Sequence, residues 1–378
     1  MHQPDVVIVG AGMQGATMAL AAARSGLTPL VVERGKVGSG ATGNSYGIIH
    51  GGLRYLQGLS IGRWRRSRQA QAWFLDNYPD HVRPLACAMP LYRHTMRSPM
   101  AFRAASALEA CLYRGTGLAR RLPGLQLLGA EEIARAYDLP RRHLVGAALW
   151  HDLVTDDMET LLRTILADAG ASGASLLEET VAGDLIVADN RIAGLKVTRA
   201  DGTVQEIATP RVAICAGSWS SRWPQEPQAA STAALAFNLV LDMPFPGDAA
   251  LAVSETPGKG RSYFLRPYEG GTFAGTYYRP APGAREPEVM PADIDAFLEV
   301  LDRALPGYGI AEAGVRAVMP GLLPDTDGTG RTLSAADTIS APGPAGLCHV
   351  LGSKLTTAPL LSIDAAQRLW PEEARRAA

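Results

Sequence analysis

Three short stretches carry the residues whose types and spacing could do chemistry. In the first, Asp5 to Glu33 (DVVIVGAGMQGATMALAAARSGLTPLVVE), the run Gly10-Ala11-Gly12-Met13-Gln14-Gly15 suits a dinucleotide. Gly10 would make the tight turn, Gly12 would let backbone approach a pyrophosphate, and Gly15 would let the next helix lie close to the strand. Glu33 follows about twenty residues later, where a ribose hydroxyl needs an acceptor. In the second stretch, His50-Gly51-Gly52-Leu53-Arg54-Tyr55-Leu56, a proton acceptor, a fixed cation and a hydroxyl accompany a double glycine, which permits backbone to pass close to a flat ring. The third, His349 to Leu361 (HVLGSKLTTAPLL), delivers Gly352 and Ser353 to a helix beginning near Thr356, with Lys354 and Leu355 at its positive end.

These residues need elements to position them. Val6 to Val9 is a β-branched run that suits a buried parallel strand, Met13 to Ser25 the helix after it, and Leu30 to Val32 a second strand. From Arg34 to Gly52 the chain is too rich in Gly, Ser, Thr and Asn for a regular element and reads as a loop along the cofactor, carrying Thr42 and Ser45. Thr155 or Asp156 would cap a helix with apolar residues at Met158, Leu161, Leu162 and Ile165. The strand Ser175 to Thr180 places Val181 where backbone could meet an adenine, and Arg211 to Trp219 reads as a buried strand ending in Ala216-Gly217-Ser218, where backbone can approach closely. Further on, Ala236 to Leu241, Tyr263 to Pro267 and Thr272 to Tyr277 alternate as strands, with Arg266, Tyr268, Thr276 and Tyr277 within reach of a ligand. Helices are expected over Ser67 to Tyr78, Pro99 to Arg114 and Pro291 to Leu305.

A chain of 378 residues has room for two domains, and a formal net charge of −1 supplies no field that would recruit nucleic acid. The basic run GRWRRSRQ, 62–69, reads as a solvated helix face or an oligomer contact. Cys87, Cys111, Cys215 and Cys348 lack metal-ligand or CxxC spacing, which fits a reducing compartment and no metal site. The first strand starts too near Met1 for a secretory leader, and no apolar run approaches membrane-spanning length. The expectation is a cytoplasmic protein without a transmembrane segment, compatible with peripheral contact at the inner face of the membrane.

HGGLRYL after its Ser-containing loop, Gly314-Val315-Arg316, and Lys354-Leu355-Thr356-Thr357 together resemble the flavin-linked glycerol-3-phosphate dehydrogenases. These belong to the wider group that includes D-amino acid oxidase and glycine oxidase. The resemblance implies FAD, not NAD. It implies an α/β fold: a Rossmann-like FAD-binding domain with a parallel sheet, over 1–85, 149–224 and 316–378, and a substrate domain on a mainly antiparallel sheet with helices, over 86–148 and 225–315. The flavin contacts would come from the residues already named between Gly10 and Gly52, from Val181, Ala216 and Gly217, and from Gly352 to Thr356. Catalysis would fall to His50, Arg54, Arg316 and Lys354, with His50 as base and Lys354 its rival, and substrate contacts to Tyr55, Arg266 and Thr276. The implied reaction is hydride transfer from the C–OH of a small anionic, glycerol-3-phosphate-like alcohol, with a quinone, oxygen or a protein as electron acceptor. An amine, amino-acid or 2-hydroxy-acid oxidase, or a flavin-binding subunit without turnover, are the alternatives. The chain departs from the family in having Ala317 where a proline follows the arginine, and no second arginine in Leu333 to Asp337.

Overall fold

The computed structural model describes residues 3–93, 99–113, 118, 121–223, 232–256, 260–325 and 337–376. Six strands form one sheet in the order Thr338–Ser340, Leu347–Leu351, Val212–Ile214, Val6–Val9, Pro29–Val32, Ser175–Leu177. All neighbours are parallel except the edge strand Thr338–Ser340. Val6 to Val9 are buried on both faces, which is why they read as an unbroken apolar run. Val6 and Ile8 join a core with the helices Met13–Arg24, Met158–Ala171 and Ala358–Leu369. Val7 and Val9 turn the other way, onto Ile192, Leu195 and Val197 of a three-stranded antiparallel sheet.

A larger sheet runs Val315–Asp325, Thr232–Leu241, Gly271–Pro280, Tyr263–Tyr268, Ala250–Val253, Arg83–Tyr92, Leu144–Val154, Ile48–Ile49, with Gln126–Leu128 paired to Leu144–Val154. Its pairs are antiparallel apart from Ala250–Val253 with Arg83–Tyr92. Strand alternation sorts its two faces. Leu235, Phe237, Leu239 and Leu241 pack in a core with Phe297 and Leu301 of the helix Pro291–Ala304, while Ala236 and Asn238 point to the opposite face, into a cavity. The expected domain limits at 148/149 and 315/316 fall within continuous strands of this sheet.

Local differences from expectation have physical causes. The helix Ile61–Asn77 begins six residues before Ser67, so the basic run lies inside it. Trp64, Ser67, Arg68, Gln71 and Phe74 recur on its buried face, leaving Arg63 and Arg65 exposed. Arg68 is therefore a core residue and not part of a solvated face. The cap of Met158–Ala171 is Asp157, whose carboxylate accepts the Thr160 amide at 2.9 Å, because Asp156 is held by Arg83 and Arg266. The strand at Val212–Ile214 ends before Ala216, and Gly217–Arg222 is a short 3-10 turn. No described helix is long and apolar enough to cross a membrane.

Candidate active site

A cavity of about 740 Å³ lies between the two large sheets, lined by Val9 and Val32 from one and by Ala236, Asn238 and Thr276 from the other. One end is shaped by the opening glycine turn. Gly10 has φ of +102° and sits against Cys215, whose carbonyl oxygen would be 2.8 Å from an added Cβ. Gly15 packs directly beneath Gly10, where a Cβ would fall 1.8 Å from the Gly10 carbonyl oxygen, so it brings the helix close without itself lining the cavity. Gly12, Met13 and Gln14 do line it, and the Met13 amide donates to Thr42 Oγ1 at 3.2 Å. This helix start has no acidic residue in its first turn and no side-chain cap, so its dipole is left to an outside anion. Glu33 lines the same end, with its carboxylate fixed by the Ala11 amide at 2.7 Å and the Gly35 amide at 2.9 Å. Beside it, the Arg34 guanidinium lies 4.2 Å over Trp219 and pairs with Glu286. Val181, Ala216 and Gly217 complete this wall.

These residues fit a dinucleotide. Gln14 Oε1 and Ser45 Oγ line the cavity and are buried with no hydrogen-bond partner among the described residues, a costly arrangement unless a ligand supplies one. Gln14 also meets the closing segment: a Cβ on Gly352 would lie 3.1 Å from its Oε1. Ser353, Lys354, Leu355 and Thr356 continue along the cavity from there. The opening and closing stretches thus converge.

The other end carries the titratable groups. His50 lines the cavity with half its side chain exposed, and its Nδ1 lies 3.1 Å from Asp152 Oδ2. Asp152 is buried on the strand Leu144–Val154 and also accepts from Trp150 Nε1 at 3.1 Å and from the Gly51 amide at 2.6 Å. Burial alone would raise its pKa, but hydrogen bonds from His50 and Gly51 and the charge of Arg68 outweigh burial and hold it below the usual carboxylate range. An ionised carboxylate only accepts, so the contact requires the proton on His50 Nδ1, which in the neutral ring makes Nε2 the acceptor. The His50 amide donates to Thr356 Oγ1 at 3.0 Å, tying the loop after Ile49 to the closing segment. Lys354 Nζ donates to the Tyr55 hydroxyl at 2.8 Å, and both line the cavity. Thr276 Oγ1 donates to Asn238 Oδ1 at 2.8 Å on the facing sheet.

Other expected site residues lie elsewhere. Arg266 is 2% exposed, pairs with Asp156 at 2.8 Å, and is enclosed by the rings of Tyr46, Tyr268 and Phe273. It therefore fastens the sheet to the start of a helix and touches no ligand space. Arg316 does not line the cavity: its guanidinium binds Asp242 at 2.7 Å and the Glu269 carbonyl at 2.9 Å. Gly321 on the same strand does line it, roughly 16 Å further along at strand rise. Gly51 lies behind the site, where a Cβ would meet Arg68 Nη1 at 2.5 Å, so its smallness makes room for a side chain and not for a ring. Gly52, in contrast, lines the cavity with φ of +80°. The side chain of Arg54 lies outside the described residues. Sequence reading missed Asp152, although a lone acid in an apolar strand signals a paired buried carboxylate. It also missed Phe264, whose ring lies 5.8 Å from that of His50, and Arg261, which lines the cavity 4.4 Å over Tyr278.

A parallel sheet with an uncapped glycine turn, joined to an antiparallel sheet across a two-ended cavity, defines a dinucleotide-binding architecture. Residues 5–368 match the model of the FAD dependent oxidoreductase family, and the chain belongs to that family, with FAD as its cofactor. It is 29% identical over 380 residues to glycerol-3-phosphate dehydrogenase of Mycobacterium leprae (strain TN), covering 96% of this chain and 62% of that protein. It is 26% identical over 331 residues to alpha-glycerophosphate oxidase of Streptococcus pyogenes serotype M1, covering 85% of this chain and 54% of the other. The chain thus spans little more than half the length of such relatives. Among solved structures, glycerol-3-phosphate dehydrogenase from Bacillus halodurans complexed with FAD superposes with a TM-score of 0.72 at 20% identity, over 97% of this chain and 65% of that one. Glycine oxidase from Geobacillus kaustophilus gives 0.71 at 18% identity, over 98% and 95%. The expected α/β fold is that of these neighbours.

Proposed function

We propose that this chain oxidises the C–OH group of a small anionic alcohol resembling glycerol 3-phosphate. The observation that carries the reading is His50, its Nδ1 held against the buried carboxylate of Asp152, in the cavity that also holds Lys354 and Tyr55. Bound FAD would supply the acceptor for the hydride. The glycine turn, Glu33 and the segment from Gly352 to Thr356 would hold it. His50 Nε2 takes the hydroxyl proton, and Asp152, remaining ionised, stabilises the imidazolium that results. Lys354 donates to Tyr55, which leaves the Tyr55 proton free to orient a substrate oxygen. Lys354 and Arg261, with Arg63 at the rim, favour an anionic substrate. The parallel sheet would serve the cofactor and the antiparallel sheet the substrate. Names of the similar dehydrogenase and oxidase support the same substrate class.

Anaerobic mixing of the flavin-loaded protein with glycerol 3-phosphate, lactate and glycine tests this. Glycerol 3-phosphate should bleach the flavin absorbance, and lactate and glycine should not. Bleaching by glycine alone, or by none of the three, overturns the reading.

A further inference from the structure

Behind the His50–Asp152 pair runs a buried polar chain that no step above uses. Gln71 Nε2 donates to the Ile49 carbonyl at 2.8 Å and reaches Asp152 Oδ1 at 3.4 Å, so one amide touches both the strand just before His50 and the carboxylate partner of His50. The orientation of that amide is set from behind. Arg68 Nη1 can only donate, and it donates to Gln71 Oε1 at 2.8 Å, which forces Nε2 toward Asp152. Arg68 in turn is paired with Glu109 on the helix Pro99–Tyr113, and Glu109 Oε2 accepts the Leu125 amide at 3.2 Å. Gln71, Glu109 and Arg68 are 0%, 2% and 7% exposed.

A buried Arg–Glu pair contributes little to net stability compared with apolar residues of the same volume, so the fold alone gives no reason for it here. Its placement gives one. We propose that Gln71, Arg68 and Glu109 are positioning residues that hold Asp152 in register with His50 and set the charge balance behind the base. The proposal rests on the reading of His50 as the proton acceptor. Among the described residues, the charged and titratable groups around the pair are Arg68 and Glu109 from the two helices, Cys87 and His151 beside Asp152, Arg266 near Cys87, and Lys354, Tyr55, Arg63 and Arg261 along the cavity. Of these, Arg68 and Glu109 are the two whose charges cancel. Altering one side of that balance should move proton affinity at His50, and the two possible alterations should move it in opposite directions.

The readout is the rate at which diethyl pyrocarbonate modifies His50 as a function of pH, followed by peptide mass spectrometry. It reports the neutral imidazole whatever the substrate. Gln71→Glu adds negative charge beside Asp152 and should raise the midpoint of that curve by about one pH unit. Glu109→Gln leaves Arg68 uncompensated and should lower the midpoint. Each variant should shift the acid limb of kcat/KM for glycerol 3-phosphate by the same amount as its midpoint. Should Gln71→Glu fail to fold, the sign of the Glu109→Gln shift decides. Folded variants with unchanged midpoints overturn the proposal. Turnover that persists in His50→Asn instead overturns the assignment of the base, while the modification curves still report on the chain behind it.

Discussion

The two ends of the cavity are built by different means. At the end formed by the glycine turn, shape comes from backbone meeting backbone: Gly10 against Cys215, and Gly15 against Gly10. At the other end it comes from side chains reaching across the fold, His50 to Asp152 over 102 positions and Lys354 to Tyr55 over 299. A backbone cradle fails when any atom is added to it. A side-chain constellation fails when one partner is chemically changed, and it leaves the cradle standing.

The sharpest way to break that contrast is Gly15→Ala. Its methyl group has no space against the Gly10 carbonyl, so separating helix and strand should cost about 3 kcal/mol or more. Bound flavin per purified chain should fall below about one tenth of the wild-type value in an absorbance ratio, with the cost itself showing as a lowered unfolding midpoint. Asp152→Asn should do the opposite: flavin content stays, while the rate of flavin reduction by glycerol 3-phosphate in stopped flow falls by roughly 10² to 10⁴, because His50 loses the acceptor that fixes its tautomer. Equal flavin loss in both variants would erase the distinction.

A third comparison concerns His349, at the core of the parallel sheet. It is 1% exposed, with neither ring nitrogen partnered among the described residues, and burial lowers its pKa from the ordinary 6.5. Below that value the unfolded chain binds a proton that the folded one resists, so stability is fully present above about pH 6.5 and is lost as pH falls toward the folded value. Melting temperature should decline between pH 7 and pH 5, and His349→Leu should flatten that decline. An identical slope in both proteins would contradict it. The smallest effect is expected at Arg316, an exposed arginine paired to Asp242. Arg316→Gln should change stability by no more than about 1 kcal/mol and leave KM for glycerol 3-phosphate unchanged. A tenfold rise in KM would return this arginine to the substrate.

How much of this was legible in the sequence follows from the same difference. Gly10, Gly12, Gly15 and Glu33 declare a local turn, because each constraint acts between residues close in the chain or across one strand pair. The carboxylate of Glu33 ties down two backbone amides, a task its spacing from the glycines does not show. Arg316 and Arg266 were misplaced because an arginine's role depends on which acid the fold brings to it. Asp242 and Asp156 lie 74 and 110 positions from these arginines, and nothing local marks either pairing. Arg68 was read with its basic neighbours, yet the helix phase turns it inward while Arg63 and Arg65 stay exposed. Asp152 was passed over because its partners come from the loop, a helix and its own strand.

One contact ties the earliest and latest parts of the site: Gln14 donates to Ser362 Oγ at 2.7 Å, 348 positions away. On a ribosome adding about 5–20 residues per second, the first of these is made roughly 17–70 s before the second. Through that interval the glycine turn lacks its opposite wall, and for much of it also the Cys215 backbone against which Gly10 packs. The cavity therefore closes only after the segment carrying Ser362 has been made.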